Sequence, residues 1–180
     1  GLSLLVPAWA LEGGDSAYQR RARDPALRER ILREVAAALD SAQGGREPWR
    51  VQFSRVRWDT TLEGRTLQDW AVRRGLAPTP ENGAMLVLEA MAQGGASCVY
   101  HVVQEADVER IMRHPLTIVA SDGSLSRPGE GHPHPRAYGT FVRVLGRYVR
   151  ERHVLTLEQA VNKMTAMPAE RLGIAERGRL

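Results

Sequence analysis

The fold is decided by residues 116–123, which read LTIVASDG. The run begins as a short apolar stretch rich in β-branched residues and ends abruptly in a Ser-Asp-Gly turn. An apolar run of this length that stops at a turn is typical of a fully buried strand in a parallel sheet. Helical patterns flank it, at residues 105–113 and 137–150, and strands that alternate with helices indicate β/α units. The sequence therefore predicts an α/β fold around this strand.

Asp122 follows the last apolar residues of the predicted strand. In β/α folds, side chains at the carboxyl ends of strands face the active site. A carboxylate there can serve as a general base or as a metal ligand. The alternative is that Asp122 only opens a turn, since Ser, Asp and Gly are favoured in turns for backbone reasons.

The chain has 180 residues, which suggests one domain with room for an appendage. Apolar residues make up 43% of it, enough for a core. No apolar run approaches the length of a membrane span and no signal peptide is evident. The sequence begins with Gly1 rather than Met, and we therefore expect a processed product or part of a longer chain.

The charge is basic overall, with 25 Lys and Arg against 21 Asp and Glu, a net charge of +4 and a pI of about 9.8. Such a pI raises the expectation of nucleic-acid binding. However, the sequence has no aromatic platform, no zinc-finger spacing and no run of five cations. Nearly all the cations are arginines interspersed with acidic residues, so we favour a solvated Arg-rich surface without a nucleic-acid or membrane partner.

The first half of the chain reads as helices around one exposed strand. Asp24 is expected to cap a helix with Pro25 at its first position, and Gly44-Gly45 to end it. Apolar residues and arginines share the stretch from Trp49 to Trp58. This stretch predicts a half-exposed strand or hairpin outside the buried parallel sheet.

Later caps and strands are also readable. Thr66 is expected to cap a helix, and Thr156 with Gln159 matches a capping box. A further helix is expected at residues 80–93, and residues 96–103 are apolar and partly β-branched, which predicts a second strand.

Three more residues could carry chemistry after the central strand. His132 and His134 are two positions apart in a Pro-rich segment, so in an extended chain both would lie on one face as a ligand pair. No third and fourth ligand follow at recognisable spacing, and the prolines could instead hold an extended lid. Arg136 could capture a carboxylate through two parallel hydrogen bonds, or could be a surface helix residue.

Cys98 is the only cysteine. It excludes an internal disulfide framework and fits a reducing compartment, so we expect a cytoplasmic protein. Within an apolar strand a lone thiol is more often a small buried hydrophobe than a nucleophile or ligand.

Six segments of the second half resemble the N-acyl-D-amino-acid deacylases, the D-aminoacylases of the amidohydrolase superfamily. They are residues 118–123 (IVASDG), 134–141 (HPRAYGTF), 143–148 (RVLGRY), 158–165 (EQAVNKMT), 168–173 (PAERLG) and 175–180 (AERGRL). The resemblance is nearly continuous from Val99 onward. In the first half it is looser, chiefly at residues 7–9 and 12–14.

The resemblance implies an activity and roles for three residues. Members of this family are zinc-dependent hydrolases that act on the linear amide of small-molecule N-acyl-D-amino acids. Asp122 is similar to the aspartate after the last barrel strand, which activates the hydrolytic water and passes a proton to the leaving amine. Arg136 is similar to the arginine that binds the substrate carboxylate, and His134 is assigned with it to substrate binding.

The resemblance assigns no metal ligand in this sequence. Cys98 does not match the family's metal-bridging cysteine, which lies upstream. The pair His132 and His134 follows the last strand, whereas the family's His-x-His pair follows the first. We therefore expect zinc as the cofactor of the parent enzyme, with its ligands mostly absent here, and little or no activity from this chain alone.

The resemblance also implies a domain order. The sequence is expected to be an internal and C-terminal fragment of a metal-dependent hydrolase (β/α) barrel, containing its last strands and helices. Residues 1–23 would form a loop entering an inserted region, residues 24–94 an inserted small α+β subdomain, and residues 95–180 the C-terminal β/α units. Such a piece would be expected to associate with the rest of the barrel or with itself.

A second function class stays open from the residues alone. The chain could be a basic, non-catalytic helical module whose arginine-rich helices contact an acidic partner. Upstream coding sequence with a His-x-His motif and a metal-binding cysteine would favour the enzyme.

Overall fold

The computed structural model describes residues 1–41 and 47–179. The described residues form nine α-helices, α1 to α9, and two strands, β1 and β2. The helices are Ala8–Leu11, Gly14–Arg23, Pro25–Asp40, Leu67–Arg73, Pro80–Ala92, Glu105–Arg113, Arg136–Arg143, Leu157–Met164 and Ala166–Arg171. The strands are Val51–Arg55 and Ser97–Tyr100, and a π-helical segment covers Val144–Glu151. The chain groups into two compact units, unit 1 with residues 1–102 and 128–133, and unit 2 with the remainder.

Helix α3 shows how local sequence builds unit 1. The Asp24 side chain accepts a hydrogen bond from the Leu27 N–H at 3.0 Å, and Pro25 occupies the first helical position, as predicted. Ile31, Val35 and Leu39 recur every fourth residue and are fully buried. Their spacing gives α3 one apolar face, which lies in the main core of this unit.

The sheet of unit 1 is a two-stranded antiparallel pair. Val51 lies opposite Tyr100 and Phe53 opposite Cys98. Phe53 is fully buried in the main core. The strand expected between Trp49 and Trp58 therefore exists outside any parallel sheet, and its partner is the strand expected at residues 96–103.

Residues 128–133 complete unit 1 from a distant part of the sequence. The His132 N–H donates to the Ser54 carbonyl at 2.7 Å, beside β1. Arg55 forms an ion pair with Glu130 at 3.2 Å. A short length of the loop after the central segment is thus held against β1.

The loop expected at residues 1–23 is wrong, because these residues form helices α1 and α2. Gly13 adopts φ +82° as the residue before α2, so the glycines separate two helices rather than forming an irregular loop. Ala17 and Tyr18 are buried on α2. The assignment of residues 24–94 to an inserted subdomain stays a prediction, and the helix end expected at Gly44-Gly45 lies outside the described residues.

Unit 2 is helical. At the start of α8 the Gln159 N–H donates to the Thr156 hydroxyl, and the Gln159 side chain accepts from the Thr156 N–H, which confirms the predicted capping box. Unit 2 has a smaller hydrophobic core, which consists of Val144, Tyr148, Val154, Leu155 and Ala160.

The single α-helix expected at residues 137–150 is instead α7 followed by the π-helical segment. The carbonyl of Tyr148 accepts from the N–H groups of both Val154 and Leu155, at 2.7 and 3.3 Å. These bonds bring the chain back over the segment and bury Tyr148 in the smaller core.

The buried strand expected at residues 116–120 is wrong for the described residues. Leu116 is 79% exposed, and residues 117–121 belong to no helix or strand. The Val119 N–H donates to a helix residue, the Lys163 carbonyl, at 3.1 Å. A strand needs a neighbouring strand to satisfy its backbone, and no neighbour lies beside this segment in the part of the chain that the structure describes. The observed class is helix-rich α/β with one small sheet.

No helix among residues 1–41 and 47–179 combines the length and apolarity that crossing a bilayer requires.

Candidate functional site

The structure brings together two of the residues that the sequence singled out. Asp122 and Arg136 are fourteen positions apart, and Arg136 Nη1 lies 3.1 Å from Asp122 Oδ2. The Asp122 side chain is 88% exposed and that of Arg136 is 46% exposed. An ion pair this exposed to water adds little to the free energy of folding. The pair is therefore considered for the chemistry that its two groups could perform. A carboxylate acceptor for protons lies beside a guanidinium that can hold an anion.

Asp122 lies in residues 121–123, a short segment closed by a side-chain hydrogen bond and called the bend below. Its φ is +47°, in the left-handed region that non-glycine residues rarely enter, although Asp tolerates it better than most. The Ser121 hydroxyl oxygen accepts a hydrogen bond from the Gly123 N–H at 3.2 Å across the bend. The Ser121 side chain therefore closes the segment locally, without a backbone turn, and the Asp122 carboxylate is exposed to solvent.

Gly123 permits the contact between Asp122 and Arg136. A Cβ atom at Gly123 would lie 2.7 Å from the carbonyl oxygen of Arg136 and 3.2 Å from the Cα of Ala137. Both are backbone atoms and cannot rotate away. The bend and the first turn of α7 thus approach more closely than any other residue at position 123 would allow.

Arg136 is the first residue of α7, and His134 organises that helix start. His134 Nδ1 accepts from the Arg136 N–H at 3.0 Å, and its carbonyl accepts from the Ala137 N–H at 2.9 Å. A neutral His134 ring that accepts at Nδ1 carries its proton on Nε2. His134 is therefore placed beside Arg136 by the local sequence. The roles assigned to Asp122, Arg136 and His134 stay predictions.

The described residues do not fit a zinc site. Residues 1–41 and 47–179 contain no group of three or more His, Cys, Asp or Glu side chains that could hold a metal ion. His132 faces Gly64, since a Cβ there would lie 3.2 Å from His132 Nδ1. Cys98 packs against the main core. Burial raises the pKa of its thiol to about 12, so the thiol is protonated near neutral pH.

Sequence reasoning missed Lys163. Its side chain is buried, and its ammonium donates to the carbonyls of His114 and Thr117 at 2.6 and 3.1 Å. One signal was available, because 24 of the 25 basic residues are arginines and Lys163 is the single lysine. Glu109 was also missed: it is a mostly buried carboxylate that pairs with both Arg113 and Arg152.

Comparison with curated proteins finds clear relatives, although no family model matches. The chain is 46% identical over 115 residues to the N-acyl-D-glutamate deacylase of Alcaligenes xylosoxydans xylosoxydans, a match that covers 57% of this chain and 23% of the relative. Across the curated relatives it matches, the chain spans 23% to 32% of their length.

Solved structures give the same result. The N-acyl-D-glutamate deacylase of Bordetella bronchiseptica, complexed with zinc and a phosphonate mimic of the tetrahedral intermediate, matches at 40% identity with a TM-score of 0.56. That match covers 73% of this chain and 25% of the other. A D-aminoacylase described as defining a novel subset of amidohydrolases matches at 36% identity with a TM-score of 0.58, covering 72% and 25%. The similarity thus extends from sequence to backbone geometry.

Proposed function

The chain is homologous to part of the N-acyl-D-amino-acid deacylases, and we propose on that basis that it forms part of a zinc-dependent amidohydrolase. The reaction is hydrolysis of the amide of an N-acyl-D-amino acid, which consumes one water and yields a carboxylate and a D-amino acid. The observation that carries the proposal is the match itself, with identities of 36% to 46% to deacylases and D-aminoacylases in sequence and structure.

Asp122 is the proposed general base. Its carboxylate takes a proton from the attacking water, and the protonated acid then gives that proton to the leaving nitrogen. Its exposure and its position on a tight bend leave both oxygens reachable by water and substrate.

Arg136 is the proposed anchor for the substrate carboxylate. In an N-acyl amino acid the carboxylate carbon and the amide nitrogen are bonded to the same carbon, so their binding groups must be neighbours. The 3.1 Å contact between Arg136 and Asp122 meets that requirement. His134 is proposed to assist, because its ring already holds the Arg136 backbone and carries a donor on Nε2 when neutral.

Zinc enters the proposal through the relatives, and its ligands are assigned to sequence other than the described residues. When bound, such a metal would make a nucleophilic water available near neutral pH. The proposal also places the chain within a (β/α) barrel, as in the relatives' amidohydrolase fold, and the enzyme in the cytoplasm. This chain by itself is expected to turn over little or no substrate, and to associate with the rest of the barrel or with itself.

The test uses the complete reading frame that encodes this sequence, expressed with zinc and assayed on several N-acetyl-D-amino acids. Asp122→Asn keeps the shape but removes the base, and should lower kcat by a factor of about 10² to 10⁴. Full turnover by that variant would contradict the role of Asp122.

The role of Arg136 is tested with substrates that carry or lack the carboxylate that it is proposed to bind. Losing a charge-assisted hydrogen bond costs roughly 1.5–3 kcal/mol, so Arg136→Ala should raise KM by about 10- to 150-fold. Arg136→Lys should recover only part, because the planar fork is lost. The loss should shrink for a substrate whose carboxylate is an amide. Equal losses on acid and amide would show that Arg136 does not bind the carboxylate.

A further inference from the structure

Lys163 is a buried cation in a chain whose other cations are arginines. It lies near the end of α8, with only 5% of its surface exposed. A buried ammonium is costly unless its donors are satisfied. The acceptors of the Lys163 ammonium should therefore explain why this residue is buried.

The Lys163 ammonium reaches the end of another helix. It donates to the carbonyl oxygens of His114 and Thr117 at 2.6 and 3.1 Å. His114 is the residue after α6, where the helix end carries partial negative charge that favours a cation, and its carbonyl also accepts from the Thr117 N–H at 3.1 Å. A compact ammonium can converge on two carbonyls in this way, whereas the wide planar guanidinium of arginine suits forked acceptors.

The backbone of Lys163 holds the same segment at a third point. Its carbonyl accepts from the Val119 N–H at 3.1 Å, and the Val119 side chain packs against the smaller core of unit 2. One residue thus makes three hydrogen bonds to residues 114–119. Residues 117–121 have no strand ladder in the described part of the chain, so these three bonds are what holds the segment.

We propose that Lys163 is a positioning residue for Asp122. Asp122 follows Val119 by three residues, and its own side chain is too exposed to be fixed by packing. The backbone must therefore place it, held upstream by Lys163 and downstream by the approach of Gly123 to Arg136. This inference rests on the proposed function for the identity of Asp122 as the base, although the clamp itself is independent of any activity.

The first arm of the test measures the clamp without an assay of activity. Lys163→Met keeps an unbranched side chain of similar length and removes all three donors. Amide hydrogen exchange at Val119 should become at least about tenfold faster in that variant. The Ala160 amide, which bonds to the Thr156 carbonyl in the first turn of α8, is the internal control and should not change. Unchanged exchange at Val119 would overturn the inference.

The second arm is a double-mutant cycle in the complete enzyme. Lys163→Met should lower kcat by about 10- to 100-fold with KM changed less than about threefold, and Lys163→Arg should restore part of kcat. In the Asp122→Asn background the same Lys163→Met change should cost nothing further, because the group that it positions is already disabled. An equal loss in both backgrounds would show a general structural role and overturn the inference.

The two arms separate failure of this inference from failure of the proposed function. If Asp122→Asn has full activity, the proposed function fails while exchange at Val119 still reports the clamp. If Lys163→Met does not fold, Lys163→Gln takes its place in both arms, because its side chain is uncharged and its nitrogen lies one bond closer to the backbone than the ammonium that reaches both carbonyls. Wild-type exchange at Val119 together with wild-type kcat in that variant would overturn the inference.

Discussion

Gly123→Ala should disable the site by adding one methyl group. The new Cβ would lie 2.7 Å from the Arg136 carbonyl oxygen, whereas ordinary contact begins at about 3.4 Å. The bend and the start of α7 must therefore separate by roughly 0.7 Å, the difference between these distances. Both colliding groups are backbone, so the displacement is transmitted to Asp122 and Arg136. Since a misplacement of about 1 Å can cost about 10²-fold in rate, we expect kcat/KM to fall by about 10- to 100-fold.

Gly139→Ala is the matched control. It makes the same substitution within α7, where a Cβ would meet no atom within 4 Å. Alanine is better than glycine inside a helix by about 0.5–1 kcal/mol, which corresponds to a Tm rise of about 1–4 °C for a chain of this size. The assays are deacylase kinetics of the complete enzyme and thermal unfolding of this chain. If Gly123→Ala matched Gly139→Ala in both kcat/KM and Tm, the steric argument would be refuted.

Three further outcomes are expected. Ile31→Ala, at a fully buried position of α3, should lower the free energy of unfolding by about 2–5 kcal/mol in denaturant titrations, and a loss below 1 kcal/mol would contradict the burial of that side chain. Hydrogen bonds from Trp9 and Arg30 hold the pKa of Glu34 below its usual range, so its contribution to stability is present above the unfolded pKa of about 4.3 and is lost as the pH falls. Glu34→Gln should therefore flatten the Tm profile between about pH 5 and pH 3, and an unchanged slope would refute the assignment. Cys98 is half-buried and its pKa is raised to about 12, so it should resist thiol reagents at pH 7 until the chain is unfolded, and rapid labelling of the folded chain would contradict this.

Local signals were predictable from the sequence, because they act within one turn of a helix. Asp24 before Pro25 and Thr156 before Gln159 each specify a cap through groups three residues apart. The structure contains both caps. The Ser-Asp-Gly sequence indicated a turn, and the structure has there a hydrogen bond between Gly123 and the Ser121 side chain but no backbone turn.

Features that depend on distant partners were not predictable in the same way. The apolar run at residues 117–120 carries the composition of a strand, but composition cannot supply the neighbouring strand that would pair with it. The resemblance gave Asp122 and Arg136 separate roles, but the sequence could not predict their contact, because a separation of fourteen positions fixes no distance. The close approach at Gly123 and the burial of Lys163 depend on residues brought together from α7, α8 and the end of α6, and no short-range pattern encodes them.

The attachment of residues 128–133 to β1 has a consequence for synthesis on the ribosome. Residues 1–102 include both strands of unit 1. However, Ser54 pairs with His132, and Arg55 pairs with Glu130, and both partners are synthesised later. Translation proceeds at about 5–20 residues per second, so the 31 residues from 102 to 133 delay these contacts by roughly 2–6 s. During that interval the Ser54 carbonyl lacks its partner, although the Phe53 backbone is already bonded to Gly64 and Arg65, and the nascent polypeptide is exposed to misassembly at that one group.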